Sequence, residues 1–161
     1  MQLHELVAAS GAVANASARL VKIGLLADLL ARLAPEDIEI AIGFLSGEPR
    51  QGRMGIGYAT LMSAKDVTAA AEPRLLLREV DEAFTRIAAI KGSGSTAARH
   101  QQLRDLLSRA TRDEQDFLTR LLFGELRQGA LEGVLVEAVA KASGIDSGTV
   151  RRAARGCGSH R

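Results

Sequence analysis

Residues 28–52 and 105–129 of this chain are close to one segment written twice. Set DLLARLAPEDIEIAIGFLSGEPRQG over DLLSRATRDEQDFLTRLLFGELRQG, at an offset of 77 with no gap, and ten of the 25 positions are identical. The shared residues are too varied for low complexity to explain them. Two copies are too few to stack as a solenoid, so the pattern predicts a duplicated helix–loop–helix unit packed as two related halves. Core packing accounts for the shared leucines. It does not account for the shared polar run Gly-Glu-x-Arg-Gln-Gly, which falls between helices, where a loop is free to vary and often carries function. Carried backwards, the same offset sets Ser17 on Gly94, Ala18 on Ser95 and Lys22 on Arg99. Each copy therefore opens with small or hydroxyl residues at a helix start and a base about one turn in.

Helical periodicity runs through both copies. Leu20, Ile23, Leu26, Leu30 and Leu33 fall on one helix face. Pro35 opens the next helix, where a missing N–H costs nothing, and Glu36 and Asp37 suit the positive end of its dipole. Ile38, Ile42 and Leu45 continue it to a stop at Gly47. A long helix is expected from about Pro73 to Ile90 on Leu75, Val80, Phe84 and Ile87, and another on Leu103, Leu106 and Leu107. Thr111 with Glu114 forms a capping box for a helix that ends at Gly124, and Leu131, Leu135, Val139 and Ala142 mark one more. No region alternates with period two for long enough to predict a strand. The class is all-α, a compact domain of about seven to nine helices over residues 1–153, with an irregular tail at 154–161.

Composition narrows the function. With 161 residues, 47% hydrophobic and 25% charged, the chain can bury a core. Only 3% is aromatic, which disfavours rows of base-stacking platforms. The single cysteine, Cys157, makes no internal disulfide, which fits a reducing, cytoplasmic compartment. With only His4, His100 and His160 beside it, no zinc site is expected. Net charge is +2, but 17 of the 21 basic residues are Arg. Arg recognises phosphate in planar, bidentate fashion, although the codon usage of a GC-rich genome enriches it too. No apolar run suits a membrane span, and the N-terminus lacks the basic start of a signal peptide.

Two glycine loops stand out. Lys91-Gly92-Ser93-Gly94-Ser95 precedes a helix that Ser93 or Ser95 can cap, with Lys91 and Arg99 flanking. It reads either as an anion site at a helix start or as a capped linker between the halves. PRQGRMGIGY, residues 49–58, carries Arg50, Arg53, Gly55 and Gly57. Its Gly-Ile-Gly is like the hairpin that holds a DNA phosphate on backbone N–H groups in helix–hairpin–helix modules, or it is a helix stop and a tight turn. Neither loop matches a Walker A or Rossmann fingerprint. Catalytic constellations are missing, and His100 has no evident Ser or Cys partner. Basic loops repeated about a pseudo-two-fold suit a duplex, whose backbones are themselves related by two-fold axes.

Four stretches, Ser17 to Leu33, Pro35 to Leu61, Gly92 to Leu107 and Thr111 to Ala142, together resemble the N-terminal DNA-binding domain of ATP-dependent DNA ligases. Gly-Glu-Leu-Arg-x-Gly is the most specific element, and the likeness covers roughly residues 5–153. The resemblance implies a helical domain with pseudo-two-fold symmetry that grips nicked duplex DNA through backbone phosphates and the minor groove, with little sequence preference. In that family ATP and Mg serve separate catalytic domains. No lysine here stands in the K-x-D-G pattern that carries the adenylate, so the chain is expected not to be an enzyme. Beyond Ala153, where the family continues in helix, Arg155-Gly156-Cys157-Gly158-Ser159-His160-Arg161 reads as a truncated or frame-shifted end.

On this reading Arg19, Lys22, Arg50, Arg53, Lys91, Arg99 and Arg127 would hold phosphates. Gly55, Gly57, Gly92 and Gly94 would let the backbone approach, and Ser17, Ser93 and Ser95 would donate at helix starts. The expected state is a monomer, cytoplasmic and nucleoid-associated, acting with catalytic ligase domains in cis or in trans. The rival is a helical protein–protein interaction domain of a repair or replication complex, its Arg loops binding acidic partners.

Overall fold

The computed structural model describes residues 1–126 and 129–157, and among them nine α-helices and no strand. The helices are α1 (Leu3–Asn15), α2 (Arg19–Ala31), α3 (Pro35–Ser46), α4 (Tyr58–Ala64), α5 (Leu77–Ala89), α6 (Ser95–Ser108), α7 (Arg112–Phe123), α8 (Gly129–Ser143) and α9 (Ser147–Cys157). None is long and apolar enough among the described residues to cross a membrane.

The repeat reappears as local geometry. α3 and α7 are both 12 residues long and begin and end 77 positions apart. Each stops at a left-handed glycine, Gly47 at φ 79° and Gly124 at φ 77°. The N–H of the next residue returns to the helix in both, Glu48 to Gly43 at 2.8 Å and Glu125 to Arg120 at 3.0 Å. α2 and α6 likewise end on Arg32 and Arg109 with nearly equal backbone angles. The starts differ. Thr111 caps α7 by the expected box with Glu114, whereas Ala34 precedes Pro35 with no side-chain cap.

Among the described residues one apolar cluster draws on eight of the helices, with no member from α9. α2 lies along α8, α4 along α6, and α5 packs on both α3 and α6. Phe44 of α3 and Phe84 of α5 meet with ring centroids 5.7 Å apart, and Leu103, Leu106 and Leu107 of α6 are fully buried. Each such side chain contributes roughly 1.5–3 kcal/mol by leaving water.

Several expected boundaries and faces shift. α5 starts at Leu77 rather than near Pro73, because residues 75–77 pair with the chain's first residues. The Leu3 N–H donates to the Leu75 carbonyl at 2.8 Å and the Leu77 N–H to that of Met1 at 3.0 Å. The Glu79 carboxylate then takes the Leu76 N–H and caps the helix. Leu20 is 81% exposed instead of joining the buried stripe of Ile23, Leu26, Leu30 and Leu33. In α3 the buried face is Ile40, Ala41, Phe44 and Leu45, which leaves Ile38 at the surface. In α8 the buried face centres on Val134, Leu135 and Ala138, and Ala142 is exposed. α9 continues to Cys157, past the expected boundary at 153. The Asp146 carboxylate accepts the Thr149 N–H at its start, and Ala and Arg favour helix. Among the described residues one charged pair is buried on both sides: the Met1 amino group meets Asp37 at 3.1 Å, both almost wholly enclosed.

Candidate nucleic-acid interface

The loop after α3 is anchored before it becomes basic. Arg50 donates from Nε to Asp81 Oδ1 at 2.7 Å and from Nη2 to Asp81 Oδ2. Gln51 Nε2 reaches the Asp81 carbonyl at 3.1 Å, its Oδ1 at 2.8 Å and Thr85 Oγ1 at 3.1 Å. The Asp81 side chain is only 4% exposed, so the pair seals a carboxylate on the packed side of α5. Hydrogen bonding and attraction by Asp81 make Arg50 still harder to deprotonate than usual. Arg50 thus has a structural partner, although 47% of its side chain still faces water.

Beyond that anchor the chain turns outward. Arg53 is exposed, Met54 is buried as a second anchor, and Gly55 and Gly57 are exposed. Glycine suits position 55 chiefly through its backbone. Its φ of +72° disfavours a side chain, and an added Cβ would lie 2.9 Å from Arg99 Cζ. Arg99, one turn into α6, also donates from Nη2 to the Ile90 carbonyl at 2.6 Å and from Nη1 to Ser95 Oγ at 3.4 Å. It therefore clasps one glycine loop to the other, and it stands half-buried rather than free for phosphate.

The second loop carries Lys91, Gly92, Ser93 and Gly94 exposed, with Ser95 half-buried. The expected serine cap is not made: Gly94, left-handed at φ +76°, holds that position without a side chain. The first-turn N–H groups of Thr96 and Ala97, which no helical carbonyl can reach, lie on exposed residues. A third loop adjoins these two. Tyr58, directly after Gly57, meets Phe123 with ring centroids 5.3 Å apart, and Phe123 directly precedes Gly124. Arg127 lies outside the described residues.

So the structure sets Gly55 against Arg99, which bonds Ile90 and Ser95 on either side of the 91–94 loop, while Arg53 and Gly57 stand exposed in the same turn as Gly55. The α2 candidates sit elsewhere. Ser17 is exposed one residue before the Ala18 cap, and Arg19 Nη2 lies 3.5 Å from where a Gly133 Cβ would stand on α8. Lys22 lines a groove of about 690 Å³ with Val7, Leu26, Asp113, Phe117 and Leu126.

Asp81, Gln51 and Tyr58 escaped the sequence reading. A visible signal for Asp81 was an acid set between Val80 and Phe84 on an apolar helix face. His100 is also corrected: it has a serine partner, Ser63 Oγ, 3.0 Å from its Nε2. The pair is an exposed link between α4 and α6, and among the described residues no carboxylate bonds the other ring nitrogen to complete a triad. No three His, Cys, Asp or Glu side chains among the described residues gather to hold a metal ion.

Comparison with known proteins agrees with this frame. The family described as DNA ligase N terminus matches residues 59–140, 82 of the 161 residues. "Probable DNA ligase" of Anaeromyxobacter sp. (strain Fw109-5) is 54% identical over 154 residues, 95% of this chain and 30% of that protein. "Probable DNA ligase" of Mycolicibacterium gilvum (strain PYR-GCK) is 52% identical over 154 residues, 96% of this chain and again 30% of the relative. The chain belongs to the DNA ligase N-terminus family. It spans about 30% of the length of these curated relatives.

Proposed function

We propose that this chain is a non-catalytic DNA-binding module of an ATP-dependent DNA ligase. It would grip nicked duplex through backbone phosphates and the minor groove, largely without regard to sequence. The observation that carries the reading is the link that Arg99 makes between the Gly55 turn and the Ile90 carbonyl at the start of the second glycine loop, each loop carrying an exposed cation, Arg53 and Lys91. Exposed backbone and unsatisfied N–H groups flanked by cations suit phosphate oxygens. Family membership and relatives called DNA ligase support the assignment. ATP and Mg would act in catalytic domains supplied in cis or in trans. The chain itself offers no gathered metal ligands among its described residues and no K-x-D-G lysine.

The test is binding to labelled nicked and intact duplex across a salt series. The expected slope of log K against log salt is roughly −3 to −5, one counterion release for each phosphate held. Binding that ignores salt would point to the protein–protein rival. Incubated with ATP and magnesium, the chain should form no covalent adenylate, and an AMP adduct seen by mass spectrometry would overturn its non-catalytic status.

A further inference from the structure

Tyr58 is the chain's one tyrosine, and there is no tryptophan. Its side chain stands 70% exposed at the start of α4, directly after the Gly55–Gly57 turn. One helical turn on, Met62 is 41% exposed. The two fall at i and i+4, on one face of the helix. The tyrosine ring is backed by Phe123, 5.3 Å away at an interplanar angle of 36°. The result is an apolar ledge between the glycine loop of the first copy and the start of the loop of the second. Cations flank it along the chain and across the Arg99 contact. Arg53 is exposed five residues before Tyr58, and Arg99 ties Gly55 to the Ile90 carbonyl, next to exposed Lys91.

An apolar strip flanked by cations is the complement of a minor-groove wall. There the C–H edges of successive deoxyriboses form a strip flanked by phosphates. We infer that Tyr58 packs its ring against a deoxyribose of the bound duplex and acts as a positioning residue, beyond the phosphate-holding groups. This rests on the duplex-binding reading above. The contact belongs to the ring, not the hydroxyl, and it neutralises no phosphate. Tyr58 therefore adds affinity without adding to the salt dependence.

Because the chain has one tyrosine, 3-fluorotyrosine places a single ¹⁹F resonance at this site. The whole chain is titrated with nicked duplex while anisotropy of the labelled DNA follows binding independently. The expected result is a ¹⁹F shift that saturates with the anisotropy curve. Tyr58→Ala should weaken binding roughly 5- to 30-fold, the scale of one aromatic–nucleotide contact. Its salt slope should stay unchanged and its melting temperature nearly so, and Tyr58→Phe should bind within about twofold of the parent. If DNA binds but the resonance stays still, or Tyr58→Ala binds like the parent, the Tyr58 role is wrong and duplex binding stands. If Tyr58→Ala loses stability in step with affinity, the ring is scaffold and the inference fails. If no duplex binds by anisotropy, both readings fall together.

Discussion

The two loops that follow α3 and α7 carry one pattern, Gly-Glu-x-Arg-Gln-Gly, and leave their helices through the same left-handed glycine. Their surroundings part company at once. In the first copy the chain folds back onto α3, so that a Cβ at Gly43 would lie 2.9 Å from the Glu48 carbonyl oxygen and 3.7 Å from the Arg50 nitrogen. The loop then locks onto Asp81 of α5 through Arg50 and Gln51. In the second copy the residue matching Gly43 is Arg120, whose Nε lies 3.8 Å from Glu125 Oε2. The same return bond is made beside an arginine side chain there, Glu125 N–H to the Arg120 carbonyl at 3.0 Å. The helix stop and its return bond, which need only local geometry, are thus common to both copies, while the partners described around them differ: Asp81 for the first loop, Arg120 with Glu125 for the second.

Exchanging the divergent residues breaks this comparison most sharply. Gly43→Arg should cost about 3 kcal/mol, since the clash is with backbone rather than with a flexible side chain, and lower the melting temperature by roughly 6–12 °C. The reverse change, Arg120→Gly, should cost only about 1 kcal/mol, the helix penalty of glycine. Equal losses in thermal melts would show that the close backbone approach at Gly43 carries no special cost.

The arginines come next. Arg50→Ala strips a buried carboxylate of its main partner and should lower stability by about 1–3 kcal/mol. That contribution holds across ordinary pH. A group whose pKa is raised on folding contributes fully below its unfolded value, and for Arg50 that contribution fades only in strong alkali. Arg127→Ala should instead weaken duplex binding by about 0.5–2 kcal/mol and reduce the salt slope by roughly one. Melting temperature and salt slope measured on both variants separate scaffold from phosphate ligand. A lower slope for Arg50→Ala with unchanged melting would restore the equivalence of the two arginines.

The smallest effects concern the helix starts. Thr111→Ala removes a complete capping box and should cost about 1 kcal/mol. Ala34→Thr should return less than about 0.5 kcal/mol, because Asp37, the residue that would answer it, is held by the Met1 amino group and Arg78. Urea melts of the two variants measure that asymmetry directly.

What was legible beforehand follows this division between local and distant contacts. Pro35 at a helix start, the Thr111–Glu114 box and the stops at Gly47 and Gly124 are all settled within one helical turn, and each was readable from neighbouring residues. Leu20 shows where periodicity falls short: it lies in the apolar repeat of α2, yet no neighbouring element covers it. The start of α5 is not legible from its own residues, because residues 75–77 pair with residues 1–3, more than 70 positions away. Within the candidate site, the glycines and exposed cations were visible as composition. The clasp by Arg99, the anchor at Asp81 and the Tyr58 ledge were not, since each joins helices distant in sequence.

By itself, then, the amino-acid sequence determined an all-α chain, its duplicated unit and the residue types of two glycine loops, because helix periodicity, capping and turn chemistry depend on residues a few positions apart. Only the tertiary structure decided that Arg50 seals a buried carboxylate, that Arg99 crosses from one glycine loop to the other, and that Tyr58 stands in water. Those outcomes depend on which helices meet, and helix meetings follow from the burial of the whole core rather than from any local signal.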